Sequence, residues 1–399
     1  MTALTTGSEA WWQSKNGPEW TREKGKYRVT FWWRDPAGTQ RTSPIKRVWL
    51  YVTGVTDHHQ NARPQSLERI PDTDVWQWQG EFIPAWRGSY CFIPSVNEND
   101  FADAVFAGQK PDRLALREGW RKLLPHAVSD PLNPQSWRGG RGHAVSALEM
   151  PEAPVQPGWQ HSDTPHNAPV CIEWESARLK NRRRVWIFTT GDENPERPLA
   201  VLLDGQFWAE SIPVWPALTS LTAGRKLPPA VYVLIDVIDM AHRNSELPCN
   251  PDFWLAVQEE LLPLVKKHAP FSDRADRTVV AGQSFGGLSS LYAGLNWPQR
   301  FGCVLSQSGS YWWPHRGGQQ EGRLLEQLRA GEITARGLRI VLEAGRNEPL
   351  IFNANQAIYA ELHAQQQVYW RQVDGGHDAL CWRGGLTQGL ITLWQPLIQ

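Results

Sequence analysis

The sequence predicts an N-terminal antiparallel β-sandwich followed by an α/β domain with a mostly parallel, doubly wound sheet. Between residues 22 and 95, short alternating apolar runs are separated by turn residues, whereas after residue 169 apolar runs alternate with longer amphipathic segments. Pro and Gly are frequent between these two parts. We expect the sandwich domain to span 1–150, a linker 151–168, and the α/β domain 169–399.

Four segments carry the alternating pattern of the N-terminal domain: KYRVTFWWRD, KRVWLYVTGV, VWQWQGEFIP and GSYCFIPS. Turn-rich pieces such as DPAGTQ and PDTD separate them, which is typical of antiparallel strands joined by short loops. This pattern favours a small antiparallel β-sandwich. Such a sandwich resembles the early-set or immunoglobulin-like domains. The later stretch DPLNPQSWRGGRGHAVSALEMPEAP is rich in Pro and Gly, and we interpret it as the exit from this domain.

Seven apolar runs predict the strands of the α/β domain: 184–189, 199–203, 231–235, 278–281, 303–306, 338–342 and 368–373. Amphipathic segments between them predict helices. In NPDFWLAVQEELLPLVKKHAP, Asn250 can cap a helix, Pro251 suits its first position and Pro270 ends it. Strands that alternate with helices indicate a mainly parallel sheet.

The composition limits the classes of function. Because 41 basic residues balance 41 acidic ones, the chain has no overall field that would attract nucleic acid or an anionic membrane. The sequence shows no signal-like N-terminus, no long apolar span, and five scattered cysteines without C-x-x-C spacing. We therefore expect a cytoplasmic protein, and we expect most of its 23 tryptophans to pack in cores.

One motif points to catalysis. In RTVVAGQSFGGLSSLYAGL, residues 277–295, Ser284 lies in a G-x-S-x-G frame between a predicted strand and a predicted helix. A serine at such a sharp turn is the nucleophile of α/β-hydrolases, because the turn lifts its hydroxyl into the site. We expect a side chain at Gly282 or Gly286 to collide with neighbouring backbone, which would explain both glycines.

The serine needs a base, which follows it in the chain order of α/β-hydrolases. Three histidines lie downstream of Ser284. His363 falls inside a predicted helix, and His315 comes too early for the base but close enough to line a pocket. His377 follows the last predicted strand on a glycine-rich loop, so we predict His377 as the base.

The acid that orients the base belongs in the loop after the penultimate strand, IVLEAGRNEPLIF. Glu348 is the candidate because it has left the strand and can turn toward the imidazole. Glu343 is the rival, although it belongs to the predicted strand end, and a dyad of serine and histidine alone is the remaining alternative. An acid in this position would fix the tautomer of the imidazole.

The oxyanion hole of such an enzyme needs two backbone donors. Phe285, the residue after the nucleophile, supplies the first donor. The strand in LAVLLDGQFWAES runs into Asp204, Gly205 and Gln206, so the amide of Gln206 is the candidate for the second donor. We interpret Asp204 as a structural turn residue.

Six segments occur in an order that matches a known family: LLDGQFW, IDVIDMAHRNSEL, VVAGQSFGGLSSLY, SQSGSYWW, GRNEP and GGHD. The chain resembles the enterochelin (ferric enterobactin) esterases, relatives of the esterase D group. The resemblance extends over essentially the whole chain, because that family also carries a β-sandwich domain before its hydrolase domain. HRNSEL and SGSYWW are more specific than G-x-S-x-G, which the whole superfamily shares.

The resemblance implies a cytoplasmic serine esterase that opens the tri-serine lactone of a siderophore after iron import. The expected products are 2,3-dihydroxybenzoylserine and its linear oligomers, which hold iron less tightly than the macrocycle. By position, the resemblance assigns Ser284 as nucleophile, His377 as base and Glu348 as acid. Iron would enter only as part of the substrate, and the spacing of His, Cys and Asp gives no metal site, so we expect no resident cofactor.

A ferric catecholate is anionic and aromatic, so its pocket should combine arginines with flat apolar walls. The candidates for substrate contact are Arg243, with Glu246 to orient it, Arg346, Trp312 and Trp313. Each has a structural alternative, because arginines pair with carboxylates and tandem tryptophans pack.

Two other functions remain open at this point. The chain could be an esterase D-like carboxylesterase or thioesterase that acts on another acyl substrate. It could also be a non-catalytic siderophore- or carbohydrate-binding protein, which the intact serine and histidine motifs argue against. In either case we expect a small-molecule ligand, no nucleic acid or membrane partner, and a monomer.

Overall fold

The computed structural model describes residues 3–138, 142–160, 163–315, 321–364 and 367–398. By its contacts the chain forms two compact units. The first contains Met1–Pro154, Arg346–Glu348 and Asp374–Cys381, and the second contains Val155–Gly345, Pro349–Val373 and Trp382–Gln399. The predicted domain boundaries at residues 150 and 168 stay a prediction, because a compact unit need not coincide with a segment that folds on its own.

The first unit is built on one antiparallel sheet with the strand order β1-β2-β5-β4-β3-β6-β8-β7. Its strands are β1 (Glu19–Glu23), β2 (Lys26–Arg34), β3 (Arg47–Val52), β4 (Gln65–Arg69), β5 (Val75–Phe82), β6 (Arg87–Ser95), β7 (Ser136–Arg138) and β8 (Ala144–Glu149). In the part of this unit that the structure describes, the α-helices are α1 (Glu9–Gln13) and α2 (Arg113–Leu123). The four predicted strands are confirmed as β2, β3, β5 and β6.

The segment interpreted as an exit from the first domain contains two strands that were not predicted. Both β7 and β8 lie within it, and β8 pairs with β6 at residues 87–90. Pro and Gly flank these strands along the sequence, which is why composition alone did not predict them. The interpretation of the segment as the exit from the first domain stays a prediction, and the first compact unit includes the chain as far as Pro154.

The two faces of the first sheet are both covered, which explains its buried strands. Tyr27, Val29, Phe31 and Trp33 alternate along β2 and pack in one apolar cluster. Strand β6 is buried on both faces because α2, with residues such as Trp120, packs against its other side. Asp112 caps α2 by accepting a hydrogen bond from the Ala115 amide at 2.8 Å.

The second unit is built on a mixed sheet with the strand order β16-β15-β14-β13-β11-β12-β10-β9. Its strands are β9 (Val170–Ser176), β10 (Asn181–Thr189), β11 (Leu199–Leu202), β12 (Val231–Ile235), β13 (Thr278–Gln283), β14 (Cys303–Gln307), β15 (Arg339–Gly345) and β16 (Gln367–Val373). The α-helices of this unit in the described ranges are α3 (Trp215–Ala223), α4 (Met240–Glu246), α5 (Pro251–Ala256), α6 (Leu262–His268), α7 (Phe285–Asn296), α8 (Arg323–Arg329), α9 (Pro349–Leu362) and α10 (Ala379–Trp394).

All seven strands predicted for this unit are confirmed. The strands from β11 to β16 pair in parallel, while β10 pairs antiparallel with β12 and with β9. Strand β9 was not predicted. It lies at the sheet edge and exposes most of its residues, so its apolar signal is weak.

The predicted caps of the helix after residue 250 are also confirmed. The Asn250 side chain accepts a hydrogen bond from the Asp252 amide, and Pro251 occupies the first helical position. A π-helical turn, Val257–Leu261, separates α5 from α6 at a point close to Pro263, which has no amide to donate. Most tryptophans are buried as expected, among them Trp86, Trp120, Trp174, Trp208, Trp254 and Trp394.

Parallel pairing decides where a site can form in the second unit. The carboxyl ends of the six parallel strands β11 to β16 lie at one edge of the sheet, and β13 is flanked by β11 and β14. Ligands bind at this edge in open α/β sheets, especially where the strand order reverses. The segments that follow these six strands contain the candidate site residues.

Candidate active site

Ser284 adopts a strained backbone conformation between β13 and α7. Its φ is 60° and its ψ is −121°, a combination that costs a non-glycine residue about 1–3 kcal/mol. Hydrogen bonds to the neighbouring β14 segment hold it there: the Ser284 amide donates to the Gln307 carbonyl at 3.0 Å, and its carbonyl accepts from the Ser310 amide at 3.1 Å. The turn therefore has the geometry of a nucleophile elbow.

Of the two glycines that the motif predicts to be crowded, only one is crowded in the structure. A Cβ on Gly282 would lie 2.3 Å from the Gly286 carbonyl oxygen, so that prediction is confirmed. A Cβ on Gly286 would meet its nearest atoms at 3.5 Å, which is ordinary contact, so the predicted collision there is wrong. The tight position is Gly287, whose Cβ would approach the Ser306 hydroxyl at 2.9 Å and the Gly309 Cα at 3.0 Å.

The loop after β11 presents the second predicted oxyanion donor. Asp204 has a φ of 50°, and a Cβ on Gly205 would lie 2.4 Å from the Ile235 amide nitrogen, so the loop passes closely over β12. Gln206 precedes a π-helical turn, Phe207–Ser211, and Phe285 begins α7. Amides in the first turn of a helix have no partner in the helical ladder and point toward its positive end.

Arg243 links these two loops. Its guanidinium donates to both carboxylate oxygens of Asp204, from Nε at 2.8 Å and from Nη2 at 3.0 Å, and Nη2 also reaches the Gln283 carbonyl at 3.3 Å. It also lies 5.7 Å from the centre of the Phe285 ring. Arg243 thus connects Asp204, two residues before Gln206, with Gln283, the residue just before Ser284.

The predicted pairing of Arg243 with Glu246 is wrong. The carboxylate that holds Arg243 is that of Asp204. Glu246 is buried and accepts instead from Arg183, at 2.9 and 2.7 Å, and from the Asn181 amide group at 2.9 Å. Arg183 is itself buried against the Trp174 ring. Asp204 is therefore more than a turn residue, because it neutralises the charge of Arg243.

The two tandem tryptophans have different surroundings. The Trp312 ring lies 5.9 Å from the Phe285 ring, so the two form an aromatic pair beside the nucleophile turn. Trp313 packs against the core and stacks under the Arg323 guanidinium at 4.4 Å. Trp312 is the better placed of the two for contact with an aromatic ligand.

The predicted acid and base come together in the first unit. The His377 Nδ1 lies 3.3 Å from Oε2 of Glu348, whose side chain is fully buried. This is the contact by which a carboxylate fixes the imidazole tautomer and stabilises the imidazolium. Of the predicted catalytic residues, the structure places His377 and Glu348 side by side in this unit and Ser284 in the second unit.

Sequence reasoning missed two residues beside this pair. The His59 ring lies 5.1 Å from the His377 ring. Burial raises the pKa of Asp57 to about 7, and the charges of Glu348 and Asp378 add to the shift. A buried aspartate in a loop 291 positions before Glu348 gives no local signal, although the run TDHHQ concentrates titratable groups.

The remaining candidates are held by other partners. Glu343 lies within β15, where it accepts a hydrogen bond from Gln307 Nε2 and pairs with Arg371 at 3.2 Å. Arg346 is half exposed and pairs with Asp374 at 2.7 Å. In the described ranges, no group of three or more His, Cys, Asp and Glu side chains is arranged to hold a metal ion.

Comparison with known proteins gives the family. Residues 28–159 match the model "Enterochelin esterase, N-terminal", and residues 176–393 match the model "Putative esterase". The iron(III) enterobactin esterase of Escherichia coli O6:H1 strain CFT073 is 71% identical over 100% of this chain and 99% of its own length. The chain belongs to the iron(III) enterobactin esterase family. It is therefore an esterase, as the sequence motifs indicated, and thus a hydrolase.

Two solved structures of this family are similar over nearly the whole chain. The ferric enterobactin esterase of Salmonella typhimurium is 69% identical, with a TM-score of 0.95 over 98% of this chain and 100% of its own. The enterobactin esterase of Shigella flexneri, solved in the presence of enterobactin, is 70% identical, with a TM-score of 0.91 over 99% and 100%. Among the described residues of this esterase, no helix has the length and apolar character that a membrane span requires.

The glycine geometry yields a prediction about the turn. Gly282→Ala should lower the free energy of unfolding by about 1–3 kcal/mol and abolish esterase activity, because its Cβ would push the Gly286 backbone away. Gly286→Ala is the matched control and should leave stability within about 1 kcal/mol, since alanine also favours the helix. Urea unfolding at 25 °C measures both, and equal destabilisation by the two variants would contradict the assignment.

The Arg243 contacts yield a second prediction. Because its charge already faces Asp204, Arg243→Ala should lower kcat about 10- to 100-fold on neutral and anionic esters alike, through loosening of the two loops. Arg178→Ala is the control, since Arg178 is an exposed arginine that also pairs with two carboxylates. A loss confined to anionic esters would instead support direct recognition of substrate charge by Arg243.

Proposed function

We propose that this esterase hydrolyses the ester bonds of the tri-serine lactone of ferric enterobactin. The products are then 2,3-dihydroxybenzoylserine and its linear oligomers. The strained turn at Ser284 is the observation that carries the proposal, since it sits in a chain that is 70% identical to an esterase solved with enterobactin present. The aromatic pair of Phe285 and Trp312 beside that turn suits a catecholate ligand.

In this mechanism the Ser284 hydroxyl attacks a lactone carbonyl, and His377 takes its proton. The negative oxygen of the tetrahedral intermediate receives hydrogen bonds from the amides of Gln206 and Phe285. When the ester bond breaks, His377 returns the proton to the departing serine hydroxyl of the substrate. Water then attacks the acyl-enzyme by the same route, which releases the acid and restores Ser284.

Two features support this assignment of roles. Strands β13, β15 and β16 end at one edge of the sheet, and the segments that follow them contain Ser284, Glu348 and His377 respectively. The contact between His377 and Glu348 is the one an acid and a base require. Glu348 is favoured over Glu343, which is held inside β15 by Gln307 and Arg371.

The rest of the proposal concerns architecture and setting. We infer an early-set type β-sandwich followed by an α/β-hydrolase domain, in line with the antiparallel and mixed sheets. The protein acts as a cytoplasmic monomer that needs no resident cofactor, and iron enters with the substrate. Half-exposed Arg346 contributes positive charge toward the ferric catecholate.

The nucleophile can be tested against its nearest hydroxyl neighbour. Ser284→Ala should lower turnover of ferric enterobactin by about 10⁴-fold or more, because the variant lacks the hydroxyl that forms the acyl-enzyme. Ser310→Ala is the matched control: its Oγ lies 3.4 Å from that of Ser284, yet it should keep most of the activity. Mass analysis of the products measures turnover, and quenching of tryptophan fluorescence checks that both variants still bind.

Turnover retained by Ser284→Ala would remove the mechanism. Loss of turnover in Ser310→Ala with Ser284→Ala still active would transfer the role to the neighbouring serine.

The acid can be identified with two isosteric changes. Glu348→Gln should lower kcat about 10²- to 10⁴-fold with little change in KM, because the imidazolium loses its stabilising charge. Glu343→Gln should mainly lower the free energy of unfolding, by about 1–3 kcal/mol, because Arg371 loses its charged partner. Steady-state kinetics and thermal unfolding separate the two effects, and the reverse pattern would make Glu343 the acid.

A further inference from the structure

Both residues of the acid–base pair lie on loops, whereas the nucleophile lies at a turn between a strand and a helix. Glu348 belongs to the segment Arg346–Glu348, and His377 belongs to Asp374–Cys381. A catalytic base must be fixed to within a fraction of an ångström, and loops are held less firmly than strands and helices. Something other than the loops themselves has to hold these two side chains.

The base loop is anchored by Ser89, which lies in β6. Its amide and its hydroxyl both donate to Oδ2 of Asp378, at 2.5 and 2.7 Å. The other oxygen of Asp378 accepts from the Leu380 amide at 2.9 Å. Ser89 and Asp378 are both buried, so these bonds are not weakened by water. Because Asp378 directly follows His377, these hydrogen bonds fix the backbone that carries the imidazole.

The acid loop is anchored by Gln60, in the segment between β3 and β4. Its Nε2 donates to the Asn347 carbonyl at 2.6 Å and to Oδ1 of Asp57 at 3.2 Å. The Asn347 side chain donates in return to the Gly54 carbonyl at 3.0 Å. Because Asn347 directly precedes Glu348, these bonds fix the backbone that carries the carboxylate.

The two loops and their anchors form one connected structure. The Asn347 amide donates to the Gly375 carbonyl at 3.0 Å, and the Arg346 guanidinium pairs with Asp374. Gly54 has a φ of 86°, and a Cβ there would lie 2.9 Å from the Gly376 amide nitrogen. The close approach of Gly54 to the residue before His377 therefore depends on glycine.

We propose that Ser89 and Gln60 are positioning residues of the esterase reaction. They act through Asp378 and Asn347, the chain neighbours of His377 and Glu348, so the antiparallel-sheet unit takes part in catalysis by holding the acid–base pair. The inference rests on the proposed roles of His377 and Glu348. Neither Ser89 nor Gln60 is required to contact the substrate.

The test compares Ser89→Ala, Gln60→Ala and the double variant with the full-length wild-type chain. Each single change should lower kcat on ferric enterobactin by about 10-fold with KM within about twofold, because misplacement of the base slows chemistry without removing binding groups. Ser89→Thr keeps the hydroxyl and should restore most of kcat. The double variant should lose less than the product of the single losses, because both anchors hold one pair.

Ser95→Ala is the matched control, since Ser95 lies at the end of the same strand and its hydroxyl accepts from the Asn97 amide instead. It should keep wild-type kcat. Thermal unfolding of every variant, with kinetics at least 15 °C below the lowest midpoint, excludes loss of fold as the cause. Gln60 is only half buried, so its variant provides the test even if Ser89→Ala is too unstable to purify.

Three outcomes would overturn the inference: unchanged kcat in folded Ser89→Ala and Gln60→Ala, an equal loss in Ser95→Ala, or a loss that appears only in KM. Failure of the proposed function looks different, because His377→Ala or Ser284→Ala would then retain turnover. If those two variants are inactive while the anchor variants are fully active, the function stands and the positioning role fails.

Discussion

The backbone strain at Ser284 is the constraint on which the nucleophile half of the site depends. A left-handed φ of 60° on a residue with a side chain persists only where surrounding structure leaves no relaxed alternative. Here the clearance comes from Gly282 and Gly287, and the restraint comes from the Gln307 carbonyl and the Ser310 amide. Parallel pairing of β13 with β14 brings those groups into place, so the sheet itself maintains the strain.

A partly buried ion pair near the turn extends this control to the loop that contains Gln206. Buried ion pairs add little net stability, because desolvation offsets their attraction, but removal of one partner is costly. The pair of Arg243 and Asp204 is therefore better explained by geometry than by stability, since it fixes the loop of Gln206 against the strand that ends at Gln283. The pair of Arg183 and Glu246 is the more deeply buried of the two.

The features that were predictable from the sequence are those that depend on local pattern. Apolar runs identified the strands of the mixed sheet, and the G-x-S-x-G frame with its flanking strand and helix identified the turn at Ser284. The edge strand β9 could not be predicted, because most of its residues are exposed and it therefore lacks an apolar run. The crowding at Gly287 could not be predicted either. It arises from contact with Ser306 and Gly309, which depends on the packing of β14 and not on the motif.

Side-chain contacts between residues far apart in the chain could not be predicted either. Glu246 lies one helical turn after Arg243, so local reasoning paired them, but Asp204 is placed for a two-pronged hydrogen bond and takes the arginine. The contact between Ser89 and Asp378 joins residues 289 positions apart. No spacing rule reports such a contact.

The two halves of the proposed catalytic apparatus are thus fixed by different physical means. Sterics and the sheet ladder hold the nucleophile, so its geometry is a property of the mixed sheet. Hydrogen bonds from Ser89 and Gln60 hold the chain neighbours of the acid–base pair, so its geometry depends on two residues of the first unit. An N-terminal unit that supplied only substrate contacts would have no need of donors that bond to the chain neighbours of His377 and Glu348. Their presence argues that this part of the chain is a structural component of the catalytic machinery.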